Sequence, residues 1–478
     1  MTRFAKMGFA KTKTRLISIA TIAGLLSGCA VGPNYHRPTV TPPATFRGDV
    51  GPAGPASLAD AKWFEVFKDD QLQSLIRTAL EHNYDAREAV ARVEAARAVL
   101  GITRADQYPN LAVSANITTQ RSARNGSFAL PVGFQQDRTF GTVTAGLLSY
   151  EVDVWGRLRR ATEAARADLL ATEENRKTVT MTLVSDVSTA YFNLLELDLE
   201  LEIAKRTLAT RQDSLRIIQA RQSRGLTSLL EVRQGEQLVQ VAAEVIPGVE
   251  QRIEQTENQI RLLVGENPAP VARNRPLTEQ ELPPTVPAGL PSSLLERRPD
   301  ISAAEQNLVA ANATIGIAKA AYFPQISLTG LFGFQSNQLS SLFTGPAKAW
   351  QFTPQVTQPV FTAGRLKSNV RLAQAQQQIA LVQYERTIQT AFREVADALV
   401  QYQKVREIRG DQEALVATLQ DRSRMSYRRY QGGVDTLLNA LDADRDLFDA
   451  ELRLAQVKRD ELVSVVQLYR SLGGGWQQ

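Results

Sequence analysis

Hydrophobic positions in this chain change period in blocks, and the blocks come in pairs. From Arg157 to Arg224 there is no proline and no glycine. Within that stretch Leu183, Val187, Ala190, Leu194, Leu197, Leu201, Ala204 and Leu208 follow a 4-3 spacing. That spacing is the heptad seam of a coiled coil. A helix of this extent would be about 100 Å long, far more than a globular core needs. Gly225 predicts its end, and Thr227 or Ser228 can cap a returning helix that runs to about Leu263. A second long helical pattern starts after Gly364 and stops at Gly432-Gly433. Asp435 is the expected cap of its returning partner, which runs to about Leu472. Pro247 predicts a kink in the first returning helix, whereas its counterpart Ala455 does not.

Ahead of each long helix the period drops to two. After Tyr108-Pro109, the residues Leu111, Val113, Ala115 and Ile117 alternate with Ala112, Ser114, Asn116 and Thr118. A loop around Asn125-Gly126 and Pro131 leads to a second extended run, about Phe140 to Asp153. After Pro324, Ile326, Leu328, Gly330, Phe332 and Phe334 fall on one side of a third strand. A fourth is expected from about Trp350 to Phe361, weakened by Pro354 and Pro359. Helices are expected from about Leu58 to Leu80 and from Asp85 to Gln107.

The pairing is a duplication. A shift of 215 carries Asp85, Ala95, Ala96, Gly101, Ile102 and Pro109 onto Asp300, Ala310, Ala311, Gly316, Ile317 and Pro324. A shift of 208 carries Gly156-Arg157-Leu158 onto Gly364-Arg365-Leu366, and Gly225 onto Gly433. The period is too long for a solenoid unit and reads as a repeated half-protein. The boundaries expected are a leader at 1–28, an extended strap at 29–57, a first repeat at 58–270, a linker at 271–290 and a second repeat at 291–478.

Four strands of about ten residues have the length that crosses a bilayer when tilted. Four cannot close a barrel, and open edges are not tolerated in lipid. Copies of the chain must therefore share one. Two copies would give a plugged barrel, three a barrel with a lumen. The fold expected is mainly α with membrane β, in which duplicated halves form, as a trimer, a 12-strand outer-membrane barrel continued by a periplasmic α-helical coiled-coil barrel. Two hairpins packed on a soluble domain are the simpler reading of the alternation alone.

Compartment follows from the first residues. Arg3, Lys6, Lys11, Lys13 and Arg15 precede an apolar run, Leu16 to Leu26, too short to span a membrane. The run ends in Leu26-Ser27-Gly28-Cys29, which resembles a bacterial lipobox, with Cys29 as the lipidated residue. Ala30 resembles an outer-membrane sorting address. Cys29 is the only cysteine, so neither disulfides nor a thiolate metal site are expected. The chain has 55 basic and 50 acidic residues. Five basic and no acidic residues precede Cys29, so the remainder is neutral and nothing points to nucleic acid. His36 and His82 stand far apart, and no nucleophile elbow or phosphate loop is present. No enzyme, cofactor or metal is expected. The methionines, Met1, Met7, Met181 and Met425, suggest no copper or silver path.

The halves differ where a gate would sit. Past Gly433 the chain carries Leu438, Asp442 and Arg445, against Leu230, Gln234 and Gln237 in the first copy. Spacings of four and three place all three on one helix face. In a trimer they would form rings, an apolar collar beside a charged filter. The alternative is a solvated surface ion pair.

Five short motifs stand out: Cys29 followed by Val31-Gly32-Pro33-Asn34-Tyr35 and Arg37-Pro38, Arg297-Arg298-Pro299-Asp300-Ile301, Tyr322-Phe323-Pro324, Thr362-Ala363-Gly364-Arg365 and Leu472-Gly473-Gly474-Gly475-Trp476. Through them the chain resembles the TolC-like outer membrane factors of the NodT/OprM branch. The resemblance spans 29–478. It implies a homotrimeric efflux duct in the outer membrane lipid, serving a periplasmic adaptor and an inner-membrane RND transporter. It assigns Leu438 as apolar plug and Asp442 with Arg445 as a polar ring. It makes Arg429 and Tyr430 links that hold the tip closed. It places adaptor docking at the turns holding Gly225, Leu226, Gly433 and Val434. A non-pore lipidated coiled-coil scaffold and a duct for protein secretion are the competing readings.

Overall fold

The structure is a computed structural model and describes residues 30–48, 57–123, 133, 135–281 and 287–477. Cys29, Asn125, Gly126 and Pro131 lie outside the described residues. In chain order the elements are α1 (Trp63–Val66), α2 (Asp70–His82), α3 (Tyr84–Ala105), β1 (Asn110–Arg121), β2 (Asp137–Glu151), α4 (Arg157–Gln222), α5 (Leu229–Leu263), α6 (Pro291–Arg297), α7 (Pro299–Ala320), β3 (Gln325–Ser336), β4 (Lys348–Thr357), α8 (Arg365–Gln431) and α9 (Leu437–Ser471). Residues 30–48 carry no helix or strand. The chain divides into two compact units, and each takes segments from both sequence repeats.

One unit holds Met1–Pro38, Glu94–Ala171 and Ala304–Gln383. Its centre is an antiparallel sheet of order β1-β2-β3-β4. The expected strands are present, with bounds moved by a few residues. The fourth ends at Thr357, so Pro359 lies beyond it. Pro354 lies within it, on the edge strand where a missing donor is tolerated. The strap is pinned beside the strands. Ala30 covers Gly156, and Gly32 lies on Gly316 so closely that a Cβ on either glycine of that pair would meet backbone. The nearly buried Arg160 donates to the carbonyls of Val31 and Gly32 and, at 2.8 Å, to Oδ1 of Asn34. Arg37 pairs with Glu305 at 2.9 Å. Glycine at 156 and 316 is thus required by close approach.

The other unit holds Thr39–Val93, Thr172–Ala303 and Tyr384–Gln478. The predicted seam is its core: Leu183, Val187, Ala190, Leu194, Leu197 and Ala204 are buried. Burying each large apolar side chain contributes about 1.5–3 kcal/mol. The single helix expected from Leu58 to Leu80 is instead a 3-10 turn (Leu58–Asp60) followed by α1 and α2. Side chains that cap backbone donors cause the breaks. Ser57 and Asp60 form a capping box, and Oδ1 of Asp69 accepts from the amides of Gln71 and Leu72. Asp69 also accepts from the hydroxyl of the buried Tyr191 at 3.2 Å.

The Arg297–Asp300 motif clasps the chain's end. Arg298 makes a bidentate pair with Asp300 at 2.9 and 2.6 Å, reaches Glu394 at 2.7 Å and donates to the carbonyl of Ser471 at 3.2 Å. Gly473, at φ +87°, ends α9 against Arg297 and Arg298. α5 continues through Pro247 to Leu263. No helix among the described residues is long and apolar enough to cross a membrane.

Candidate functional site

Two places in the molecule have the features of a conduit: the sheet and the helix turns. The sheet has two unlike faces. Residues paired directly across an antiparallel ladder share a face. Val113, Ala145, Phe332 and Trp350 form one such row across all four strands, and Leu111, Leu147, Gly330 and Phe352 the next. The opposite face carries Ser114, Thr144, Asn116, Thr142, Gln335, Gln351 and Thr353. The apolar face is open: Leu111 is 74% exposed, Val113 78% and Trp350 77%. An apolar surface of this extent is not left to water. β1 and β4 are its edges, with no neighbouring strand beyond them among the described residues.

The two turns of the helical unit are built alike. Gly225 and Gly433 adopt φ of +73° and +71°. Leu226 donates its amide to the carbonyl of Arg221 at 2.9 Å, and Val434 donates to Arg429 at 3.1 Å. Both are Schellman closures, which need glycine at the left-handed position. Leu226 and Val434 stand exposed at 65% and 67%. The turns lie near each other through a shared core of Ile218, Val232, Tyr430, Leu437, Ala440 and Leu441.

Past the turns the residue roles divide. Ser228 caps α5 by accepting from the amide of Glu231. Asp435 does not cap α9; Thr436 occupies the cap position. The Asp435 carboxylate instead takes Nε of Arg429 at 3.0 Å, Nδ2 of Asn439 at 2.7 Å and the Thr436 amide. Those donors, first among them Asn439, hold its pKa below the ordinary carboxylate value. One residue's displacement toward the turn puts Asp435 within reach of Arg429, so it ties α8 to α9.

Leu438, Asp442 and Arg445 do share a face of α9. Leu438 is exposed, and Arg445 reaches both Asp442 and Asp446 at 3.3 Å. Tyr430 is buried in the shared core, with the Arg221 guanidinium 4.9 Å from its ring centre and no partner for its hydroxyl. Arg429 and Tyr430 therefore both engage their own chain at this turn.

Two charge sites were missed in the sequence. Asp444 is buried and pairs with Arg211 at 2.7 Å, while Arg211 also lies over the Phe448 ring. Leu437, Leu441, Asp444 and Phe448 keep a 4-3-4 spacing, so an acid on an apolar seam was the signal. The second is Glu196 with Glu200, one turn apart and both buried. Arg252 holds Glu200 at 2.7 Å, and Arg459 is 4.0 Å from Glu196. Burial, then the hydrogen bond and charge of Glu200, push Glu196 up to about 8. Among the described residues no cluster could hold a metal ion.

Comparison with known proteins agrees with this geometry. Residues 75–266 and 290–474 match the family described as outer membrane efflux protein. The toluene efflux pump outer membrane protein TtgC of Pseudomonas putida is 37% identical over 470 residues, covering 97% of this chain and 96% of that protein. Outer membrane protein OprJ of Pseudomonas aeruginosa is 36% identical over 465 residues, covering 97% and 96%. The open state of the MtrE outer membrane channel of Neisseria gonorrhoeae superposes with a TM-score of 0.85 at 32% identity, covering 94% of this chain and 99% of that one. A TolC-like channel protomer, with a four-stranded sheet and long paired helices, is thus the fold. The chain belongs to the outer membrane efflux protein family, whose members are exit ducts of the outer membrane and not enzymes.

Proposed function

We propose that three copies of the chain enclose one barrel through the outer membrane and that their helices continue it as a periplasmic tube. The assembly is the passive exit duct of a tripartite pump, fed by a periplasmic adaptor and an inner-membrane RND transporter. The observation that carries this reading is the four-stranded sheet with one apolar face, one polar face and two unpaired edges. An apolar outside and a polar inside are what a water-filled barrel in lipid needs. A lipidated scaffold without a pore has no use for such a sheet.

In this reading Leu438, Asp442 and Arg445 ring the periplasmic end and set its resting aperture. The exposed Leu226 and Val434 at the turns receive the adaptor. Cys29 carries the lipid. The toluene in the name of the P. putida relative points to small, apolar cargo. The purified protein in a planar bilayer tests the whole: it is expected to run as a trimer and to pass ions. A monomer that passes none overturns the proposal.

A further inference from the structure

The charged residues of the two hairpins gather at one end. From Leu111 to Tyr150 and from Ile326 to Thr357 the chain holds the bases Arg121, Arg124, Arg138 and Lys348 against one acid, Asp137. The chain beyond Cys29 is neutral, so this surplus is local. β1 ends at Arg121, β2 begins at Asp137 and β4 begins at Lys348, so these charges lie at the end of the sheet away from α3, α4, α7 and α8. The face matters as much as the end. Lys348 stands opposite Phe334, Phe334 opposite Val143 and Val143 opposite Ala115, the row next to that of Val113 and Trp350 on the apolar face. By alternation from Ala115, Arg121 is on that face too. Arg121 meets Asp137 at 3.4 Å, whereas no acid pairs with the exposed Lys348 among the described residues. A base on the polar face would meet whatever passes the lumen. Lys348 meets what covers the apolar one.

The loop between β3 and β4 folds onto that same face. Phe343 meets Phe334 edge to face, with ring centres 5.5 Å apart. Gly141 pairs with Ile117 and Ser336 and so belongs to the apolar face, and a Cβ there would stand 3.2 Å from Leu339 and 3.7 Å from Leu342. Leu342 is buried by this contact, yet Leu339 and Phe343 remain 65% and 69% exposed. The loop also closes its own polar groups. The amides of Ser341, Leu342, Thr344 and Ala347 donate to carbonyls within it. Ser341 and Thr344 donate their hydroxyls to carbonyls of the loop, and Ser336 bonds Ser341 at 2.8 Å. Water makes such closure optional, whereas lipid makes it necessary.

We infer that this loop is a lipid-binding seat: Leu339 and Phe343 enter the acyl boundary of the outer leaflet, and Lys348 holds a phosphate of the phosphorylated glycolipid there. This rests on the membrane reading above and adds a binding site to it. Two observations fix the occupant as lipid. The exposed apolar side chains of the loop continue the sheet's apolar face without a break, and the unpaired cation lies on that face at its outer end. Trp350, one row nearer the helices, has the amphipathic ring that settles at headgroup level. A lysine one row farther out keeps its stem in the apolar layer and its ammonium among the phosphates. A protein partner docking at the tip would need no self-bonded loop folded down the side of the sheet.

Depth and retention test the seat in the full chain, reconstituted in vesicles of phosphatidylcholine with bisphosphorylated lipid A. A fluorescent dye is attached to Phe343→Cys and, separately, to Gln335→Cys on the polar face; the chain with no added cysteine gives the background from Cys29. The dye at 343 is expected to be quenched by brominated acyl chains and to be shielded from aqueous iodide about threefold or more relative to 335, as befits a group sunk at the acyl boundary. Leu339→Cys repeats the measurement should Phe343→Cys disturb the loop. Lys348→Gln is expected to lower the lipid A retained by the purified protein about fivefold, the worth of one lysine at an anionic surface, and to leave retention of dephosphorylated lipid A unchanged. Iodide reaching 343 as freely as 335, unchanged retention by Lys348→Gln, or an equal loss of both lipids overturns the seat and leaves the channel standing. A monomer that passes no ions overturns the channel and the seat with it.

Discussion

Arg211 donates from Nε to Oδ2 of Asp444 across 2.7 Å, with both side chains almost wholly withdrawn from water. Asp442, two residues before, pairs with Arg445 in the open. The same chemistry therefore has two different consequences. Removing one member of a buried pair leaves an uncompensated charge, at about 3–5 kcal/mol. Removing one member of an exposed pair costs under about 1 kcal/mol. Asp444→Ala is expected to lower the midpoint of chemical unfolding sharply, and Asp442→Ala hardly at all. Equal shifts for the two variants would contradict this division.

Conductance reads the exposed pair instead. With Asp442→Ala and Arg445→Ala together, single-channel conductance is expected to rise by about twofold or more, because a charged ring at a constriction sets a barrier. Unfolding should stay unchanged. Wild-type conductance in the double variant removes these residues from the gate.

Glu196 gives stability a pH dependence. Its folded pKa, raised to about 8 by burial and by Glu200, exceeds the ordinary value of 4.5. The folded state therefore holds a proton that the unfolded chain releases. The penalty is absent below about pH 4.5, grows as pH rises, and levels off above about pH 8. Glu196→Gln is expected to flatten the fall in melting temperature across that window and to stabilise the protein at its upper end. An unaltered profile would show that Glu196 is ionised in the fold.

If the adaptor docks at the turns as proposed, docking can be separated from assembly. Leu226→Asp with Val434→Asp places charge on two exposed apolar tips that enter the turn closures through their backbone amides alone, beside Gly225 and Gly433. Pull-down of the adaptor is expected to fall about tenfold or more, with the trimer intact, since apolar anchors dominate such contacts. Gly433→Ala acts on the closure instead, at about 1 kcal/mol or more, because its φ is positive. Undiminished adaptor capture by the first variant would move docking elsewhere.

Periodicity made much of this legible. The 4-3 seam from Leu183 to Ala204 and the alternation from Leu111 to Ile117 each state an element and its apolar side, and both are in place. What periodicity cannot state is which polar group answers which. Asp435 looked like a helix cap from its position after Gly433, yet it holds Arg429. Asp69 broke an expected helix because its carboxylate competes for backbone amides. Arg160 serves Val31, some 129 positions away, and no local pattern announces that bond. Asp444 could have been singled out, since an acid on an apolar stripe needs a cation opposite.

The bare edges of β1 and β4 also bear on how the protein is made. A solitary copy offers water a greasy wall and two templates for adding strands, the ingredients of runaway aggregation. Such a copy has no safe resting state on either side of the membrane surface. On the proposed trimer, biogenesis is a race in which meeting two siblings must outpace clumping, and the cell's escort and degradation machinery would decide how many newly exported chains reach that meeting.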